Sequence, residues 1–156
     1  MTDLDAATLE GVAFLGNTLA PFFLQDPRTG SAEAEFAAVA ALDAQAAGAE
    51  WPFVGEAQAA RCLGMMVEGL APSRAAGEGG AFVADDDLMW EYRRLFIGPG
   101  AKPAPPWGSV YTDRECVVFG ATTLELRAWM REHGVARTAD EKTPEDHIGL
   151  MLALMA

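Results

Sequence analysis

The sequence predicts an all-α fold. Alanine, the strongest helix former, is abundant throughout. Runs of β-branched residues with period-two alternation are missing. Apolar residues recur at helical spacing, most clearly at Leu88, Tyr92, Leu95 and Phe96, which fall on one stripe.

The elements follow in order. A first helix is expected over residues 4–20, with Leu4, Leu9, Val12, Ala13 and Leu19 facing the core. Pro21 breaks it, followed by Asp26-Pro27-Arg28-Thr29-Gly30. Ser31 opens a second, alanine-rich helix that ends at Gly48, and Trp51-Pro52 sits in the next connection. A third helix covers about 56–70, with Cys62, Leu63, Met66 and Leu70 on one side. The stretch APSRAAGEGG, residues 71–80, reads as a linker. Asp85 and Asp86 are N-caps for a fourth helix, which Gly98 and Pro99 stop. Four prolines rule out a regular helix over 98–115, and residues 105–111 are expected to be extended. Thr122 with Glu125 forms a capping box for the helix carrying Leu126, Trp129, Met130 and His133, and Gly134 is its C′ residue. Thr143 caps the last helix, with Pro144 at its first position. With no internal repeat and no heptads, residues 1–156 are read as a single domain.

Composition excludes several functions. Acidic residues outnumber basic ones 23 to 11, a formal charge of −12. Phosphate backbones and anionic membrane surfaces need a basic face, so both are disfavoured partners. A cationic partner would be attracted, although acidic surfaces also serve solubility alone. Cys62 and Cys116 lie in no CxxC or Cys/His spacing and are expected to be reduced thiols. The acidic start Met-Thr-Asp-Leu-Asp does not read as a signal peptide, and no uninterrupted apolar run reaches the length of a membrane span. A cytoplasmic location is the expectation.

The closing stretch TPEDHIGLMLALMA places Glu145, Asp146 and His147 side by side. His147 beside two carboxylates has the makings of a general base, and Asp146 with His147 could supply two metal ligands. The other histidine, His133, lies on a different predicted helix, and no H-E-x-x-H spacing exists. Acids in the first turn of a helix also stabilise its positive end, and that reading is favoured locally. Ser109 stands in WGSVY rather than in a G-x-S-x-G elbow, and no phosphate-binding glycine loop is present. No catalytic residue, metal ligand or cofactor is assigned. Residues 88–119 gather Trp90, Tyr92, Phe96, Trp107, Tyr111 and Phe119 around a proline-rich loop. That cluster reads either as a loop anchored on the core or as an apolar groove that receives a peptide.

The segments EYRRLFIGPGAKPAPPWGSVYTDRECVVFGATTLELRAWMREHG and TPEDHIGLMLALMA resemble the TorD/DmsD family. Its members are cytoplasmic maturation chaperones of molybdenum-containing reductases exported by the twin-arginine pathway. The closer likeness is to the DmsD branch, whose client is dimethyl sulfoxide reductase. The resemblance is dense over residues 91–155, and residues 1–84 carry no specific motif of the family. It implies an all-helical fold, binding of the twin-arginine leader of a precursor, and no catalysed reaction. The implied leader contacts are Tyr92, Leu95, Phe96, Pro106, Trp107, Pro144, Asp146 and His147, with Tyr111 and Gly120 as neighbours. Relatives often carry an aromatic just after the Gly-Pro, where this chain has Gly100, which thins one wall of the groove. They also continue for several helices beyond the Pro-Glu-Asp-His motif. The chain is therefore expected to lack the family's C-terminal helices, to expose apolar surface on its last helix, and to pair as a homodimer or domain-swapped oligomer. Two other readings stay open: a chaperone that grips the mature part of a reductase, and a metal- or nucleotide-binding enzyme using Asp146 and His147. In the leader-binding reading His147 must stay neutral, so leader affinity should fall as pH drops through the histidine range.

Overall fold

The computed structural model describes residues 4–31, 33–76, 82–137 and 142–156. Helices dominate, and no strand occurs among the described residues, as the sequence predicts. The helices are α1 (Ala6–Leu24), α2 (Glu33–Ala40), α3 (Ala44–Glu50), α4 (Glu56–Ala76), α5 (Asp86–Tyr92), α6 (Ser109–Thr112), α7 (Ala121–Glu132) and α8 (Ile148–Met155).

Helix α1 starts on Asp5, whose carboxylate accepts from Thr8 N at 2.7 Å. It runs through Pro21 instead of ending there. Proline so near the C-terminus removes one ladder bond, while its own carbonyl still accepts from Gln25 N at 2.9 Å. Leu4 and Leu9 are exposed, Val12, Ala13 and Leu19 are half-buried, and the buried positions are Gly16 and Ala20 on that same face. The expected face is the inward one, but its first turns stay uncovered and α8 packs against its later part. A Cβ at Gly16 would lie 2.4 Å from the Leu152 carbonyl oxygen, and one at Gly149 would lie 2.6 Å from Leu24 Cγ. Two glycines thus let the α1 and α8 backbones approach closely. By length and composition α1 could also cross a membrane, although Glu10 interrupts its apolar run.

The second predicted helix divides in two. Asp43 turns its carboxylate onto Gln45 N and Ala46 N at 3.0 and 3.1 Å and starts α3, a local competition with the helix ladder typical of aspartate. Gly48 lets α3 meet α4, since a Cβ there would fall 2.6 Å from Ala60 N. Leu63 and Leu70 are buried on α4, Met66 half-buried, and Cys62 exposed. Both cysteines are free thiols, as expected. Helix α4 continues through Pro72 to Ala76, so the first residues of the expected linker are helical; residues 77–80 of it lie outside those described. The core proper joins Phe36, Val39 and Ala40 of α2 to Leu70 and Phe82, with Phe22, Met66 and Leu88 packed against it. Phe36 and Phe82 stack, their ring centroids 5.9 Å apart.

Ser73, fully buried, ties α4 to α5. Its hydroxyl donates to Asp85 Oδ1 and accepts from Asp85 N, both at 3.0 Å. Asp85 in turn caps α5 through Leu88 N at 2.9 Å, as its type and position predict. Past Tyr92 the helix widens into a π turn, Arg93–Ile97, closed by Gly98 N donating to the Arg93 carbonyl at 2.6 Å.

Three later expectations are overturned. Residues 105–111 are not extended throughout: beyond Pro106 no proline bars helical backbone, and 109–112 form the turn α6. Thr122 does not cap α7. Gly120 is the N-cap, Thr122 lies inside the helix, and its amide bonds both oxygens of the Asp113 carboxylate at 3.1 Å. Thr143 and Pro144 do not open α8, because His147 is its N-cap. Gly134 does end α7 as predicted, with φ of 69° and Val135 N bonding the Met130 carbonyl at 2.8 Å.

Candidate functional site

Two segments forty residues apart meet in an isolated antiparallel bridge, Trp107 against His147. Gly108 N donates to the Asp146 carbonyl at 3.0 Å, and Ile148 N donates to the Pro106 carbonyl at 2.8 Å. This pairing holds His147 extended, at φ −62° and ψ 130°. Pro144 to His147 therefore form a turn, closed by His147 N on the Pro144 carbonyl at 3.1 Å. Glu145 and Asp146 consequently lie outside the first turn of α8, and the helix-end role expected for them does not hold.

The three adjacent polar residues do different work. Glu145 faces α7, where Arg127 Nε and Nη2 donate to its two oxygens at 2.8 and 2.7 Å. Arg137 Nη1 lies 3.7 Å away. The Arg127 fork holds the Glu145 carboxyl below its ordinary range. Asp146 is buried, and its Oδ2 accepts from Ser109 N at 2.7 Å. Its Oδ1 is buried without a partner among the described residues, as are Ser109 Oγ and Trp107 Nε1. His147 is buried and its Nδ1 accepts from Gly149 N at 3.2 Å, capping α8. That bond needs an unprotonated Nδ1, so the ring is neutral with its proton on Nε2. Burial pushes its pKa down, against the opposing pull of Asp146. Its ring meets Trp107 edge-to-face at 6.1 Å between centroids.

Tyr92, Leu95 and Phe96 form a second group. With Phe22, Phe23 and Met66 they line an open apolar groove of about 360 Å³. Tyr92 packs on Phe96 at 4.9 Å between centroids. Its phenol is pushed up to about 12, by burial first and the Asp26 charge second. Phe23 links the two groups: its ring meets Phe96 at 5.7 Å, and its Cβ would stand 2.9 Å from a Cβ at Gly149.

The remaining site candidates stand apart. Tyr111 on α6 is 64% exposed, as is Trp90 at 68%. Gly120 packs against Asp113, where a Cβ would fall 1.8 Å from Oδ2. Sequence reasoning gave no site role to Phe23, Ser109, Asp113 or Arg127; Ser109 stands beside Trp107 in the Pro-Pro-Trp-Gly-Ser-Val-Tyr stretch, which signals it, whereas only the fold brings Phe23, Asp113 and Arg127 to the site. Among the described residues no group of three or more His, Cys, Asp or Glu could hold a metal. The arrangement offers an unpaired buried carboxylate oxygen, a neutral imidazole and an apolar groove, which suits binding.

A family described as the nitrate reductase delta subunit matches residues 74–156, just over half of the chain. A Tat proofreading chaperone DmsD of Salmonella typhi is 52% identical over 73 residues, 47% of this chain and 36% of the relative. A probable Tat proofreading chaperone DmsD of Haemophilus influenzae is 54% identical over 70 residues, 45% of this chain and 34% of the relative. A chaperone protein TorD of Ferrimonas balearica is 30% identical over 69 residues, 44% of this chain and 32% of the relative. The matched part thus spans about a third of each curated relative. Matched over more than half its length, and built of helices as the resemblance implies, the chain belongs to the nitrate reductase delta subunit family, the TorD/DmsD family.

Proposed function

We propose that this chain is a cytoplasmic chaperone that binds the twin-arginine leader of a molybdenum-containing reductase of the dimethyl sulfoxide reductase type. It holds the precursor before export and catalyses no reaction. The observation that carries the reading is the bridge between the Pro-Pro-Trp loop and the Pro-Glu-Asp-His turn, which leaves Asp146 Oδ1 buried and without a partner among the described residues. A carboxylate oxygen in that condition is costly by itself and gains most from a charged donor. An arginine guanidinium supplies one, and a planar fork suits it better than an ammonium does. The apolar groove at Tyr92, Leu95 and Phe96 fits the apolar stretch that follows the two arginines, and Phe23 connects it to the turn. The names of the relatives, Tat proofreading chaperones, support the same partner.

Calorimetric titration with a synthetic twin-arginine leader tests this, beside a peptide with both arginines changed to lysine. The expected result is binding that weakens with lysine and with salt. Asp146→Asn keeps an oxygen for Ser109 N and removes the charge, so it should cost about tenfold in affinity. Equal binding of both peptides by both proteins would remove the arginine clamp. No binding of either peptide would sink the leader reading.

A further inference from the structure

The indole of Trp107 already carries a cation. Lys102 Nζ lies 5.5 Å from the ring centroid, within the range where an ammonium is held by the negative face of an aromatic ring. Both residues are half-buried, and Lys102 makes no ion pair among the described residues. In a chain with 23 carboxylates and 11 bases, a lysine that rests on an indole rather than an acid is conspicuous. Its tether is short: Pro103, Pro105 and Pro106 stand between it and the ring. Each fixes its own φ, and the residue before each is kept out of the helical region, so Lys102 is presented to the ring at small entropic cost.

We infer that the face of Trp107 is a seat for one guanidinium of the leader and that Lys102 is its built-in occupant, which the incoming arginine displaces. The inference rests on the leader-binding reading above and adds a built-in competitor to it. A guanidinium is planar and weakly hydrated and stacks on an indole, so exchanging Lys102 for arginine is favourable. A lysine of a peptide would replace one ammonium by another and gain nothing. Either ligand must first displace an ammonium tethered a few residues away, at high effective concentration. Lys102 therefore lowers the affinity of arginine and lysine for the ring by the same factor, so that only the better-stacking guanidinium displaces it readily, and Asp146 Oδ1 across the bridge supplies the attraction for the charge.

The test uses Lys102→Met, which keeps the stem and removes the charge. Affinity for the twin-arginine leader should rise about two- to fivefold, and affinity for the twin-lysine peptide should rise by the same factor. The ratio between them should therefore stay the same. A second measurement needs no leader. The chain has two lysines, Lys102 and Lys142, so the Lys102 ε-methylene resonance is assigned by its loss in Lys102→Met. It should be shifted upfield by the indole ring current and return toward its free position on titration with arginine amide, at lower concentration than with lysine amide. If arginine amide displaces Lys102 and no leader binds, the seat stands and the leader reading fails. An unshifted ε-methylene overturns the inference, as does an unchanged leader affinity in Lys102→Met.

Discussion

Replacing Gly120 by alanine separates a structural role from a binding role. An added Cβ would lie 1.8 Å from Asp113 Oδ2 and 2.8 Å from its Cγ, far inside van der Waals contact. The backbone at Gly120 is extended, with φ −72°, so the penalty comes from the contact alone. Relief requires the Asp113 carboxylate to swing away, which breaks its bonds to the Thr122 amide and hydroxyl. Losing that cap costs about 1 kcal/mol, and residual crowding adds about 1–3 kcal/mol. Gly120→Ala should therefore destabilise by about 2–4 kcal/mol. Asp113→Ala alone should cost about 1 kcal/mol through the cap. It leaves only the Asp113 Cβ position, 3.3 Å from the new methyl. The double variant should thus be little worse than Asp113→Ala, giving a coupling of about 2–4 kcal/mol in the cycle. Urea unfolding followed by far-ultraviolet circular dichroism measures all four proteins. Additive effects would refute the contact. A Gly120→Ala protein of full stability that no longer binds the leader would make Gly120 a direct leader contact instead.

Other perturbations follow from the same geometry. Glu145→Gln should destabilise by about 1–2 kcal/mol, because it leaves the Arg127 fork with one weakened acceptor. The stability that Glu145 contributes is present above its unfolded pKa near 4.5 and lost as pH falls through its lower folded value; a wild-type acid limb indistinguishable from that of Glu145→Gln would contradict this. His147 has a folded pKa below 6.5, so its share of stability is complete above pH 6.5 and disappears as pH falls through the lower folded value. Proton NMR should place its titration midpoint below 6.5, with leader affinity falling only there; a midpoint above 6.5 would contradict the buried neutral ring. Gly149→Ala would push a methyl to within 2.6 Å of Leu24 Cγ and 2.9 Å of Phe23 Cβ. It should lower stability by about 1–3 kcal/mol and weaken leader binding by moving His147, and an unaffected melting temperature would argue against the tight α1–α8 contact.

The local signals in the sequence report what a few neighbouring residues decide. Asp85 caps α5 and Gly134 ends α7 where the sequence places them, since a cap needs only one side chain and one turn of backbone. Tyr92, Leu95 and Phe96 were visible as an apolar stripe at helical spacing and Asp146–His147 as adjacent polar residues, and only the resemblance implied a binding role for them. Periodicity found the inward face of α1 but not its most buried positions. Those are Gly16 and Ala20, small residues that score weakly as apolar, and Gly16 matters because α8 lies against it.

By itself, then, the sequence determined the helical class, the net negative charge and helix ends such as those at Asp85 and Gly134, because charge follows from composition and propensity and capping act within a turn or two of chain. Only the tertiary structure decided what Pro-Glu-Asp-His does. Thr143-Pro144 is a sound local start for a helix, yet pairing with the Pro-Pro-Trp loop draws His147 into extended backbone and delays α8 to Ile148. Thr122 and Glu125 are a sound capping box, yet the Asp113 carboxylate reaches Thr122 first. In both places a local preference of about 1 kcal/mol yields to contacts between segments remote in sequence. Those contacts bury groups that would otherwise stay in water, and they place a carboxylate, an imidazole and an indole side by side.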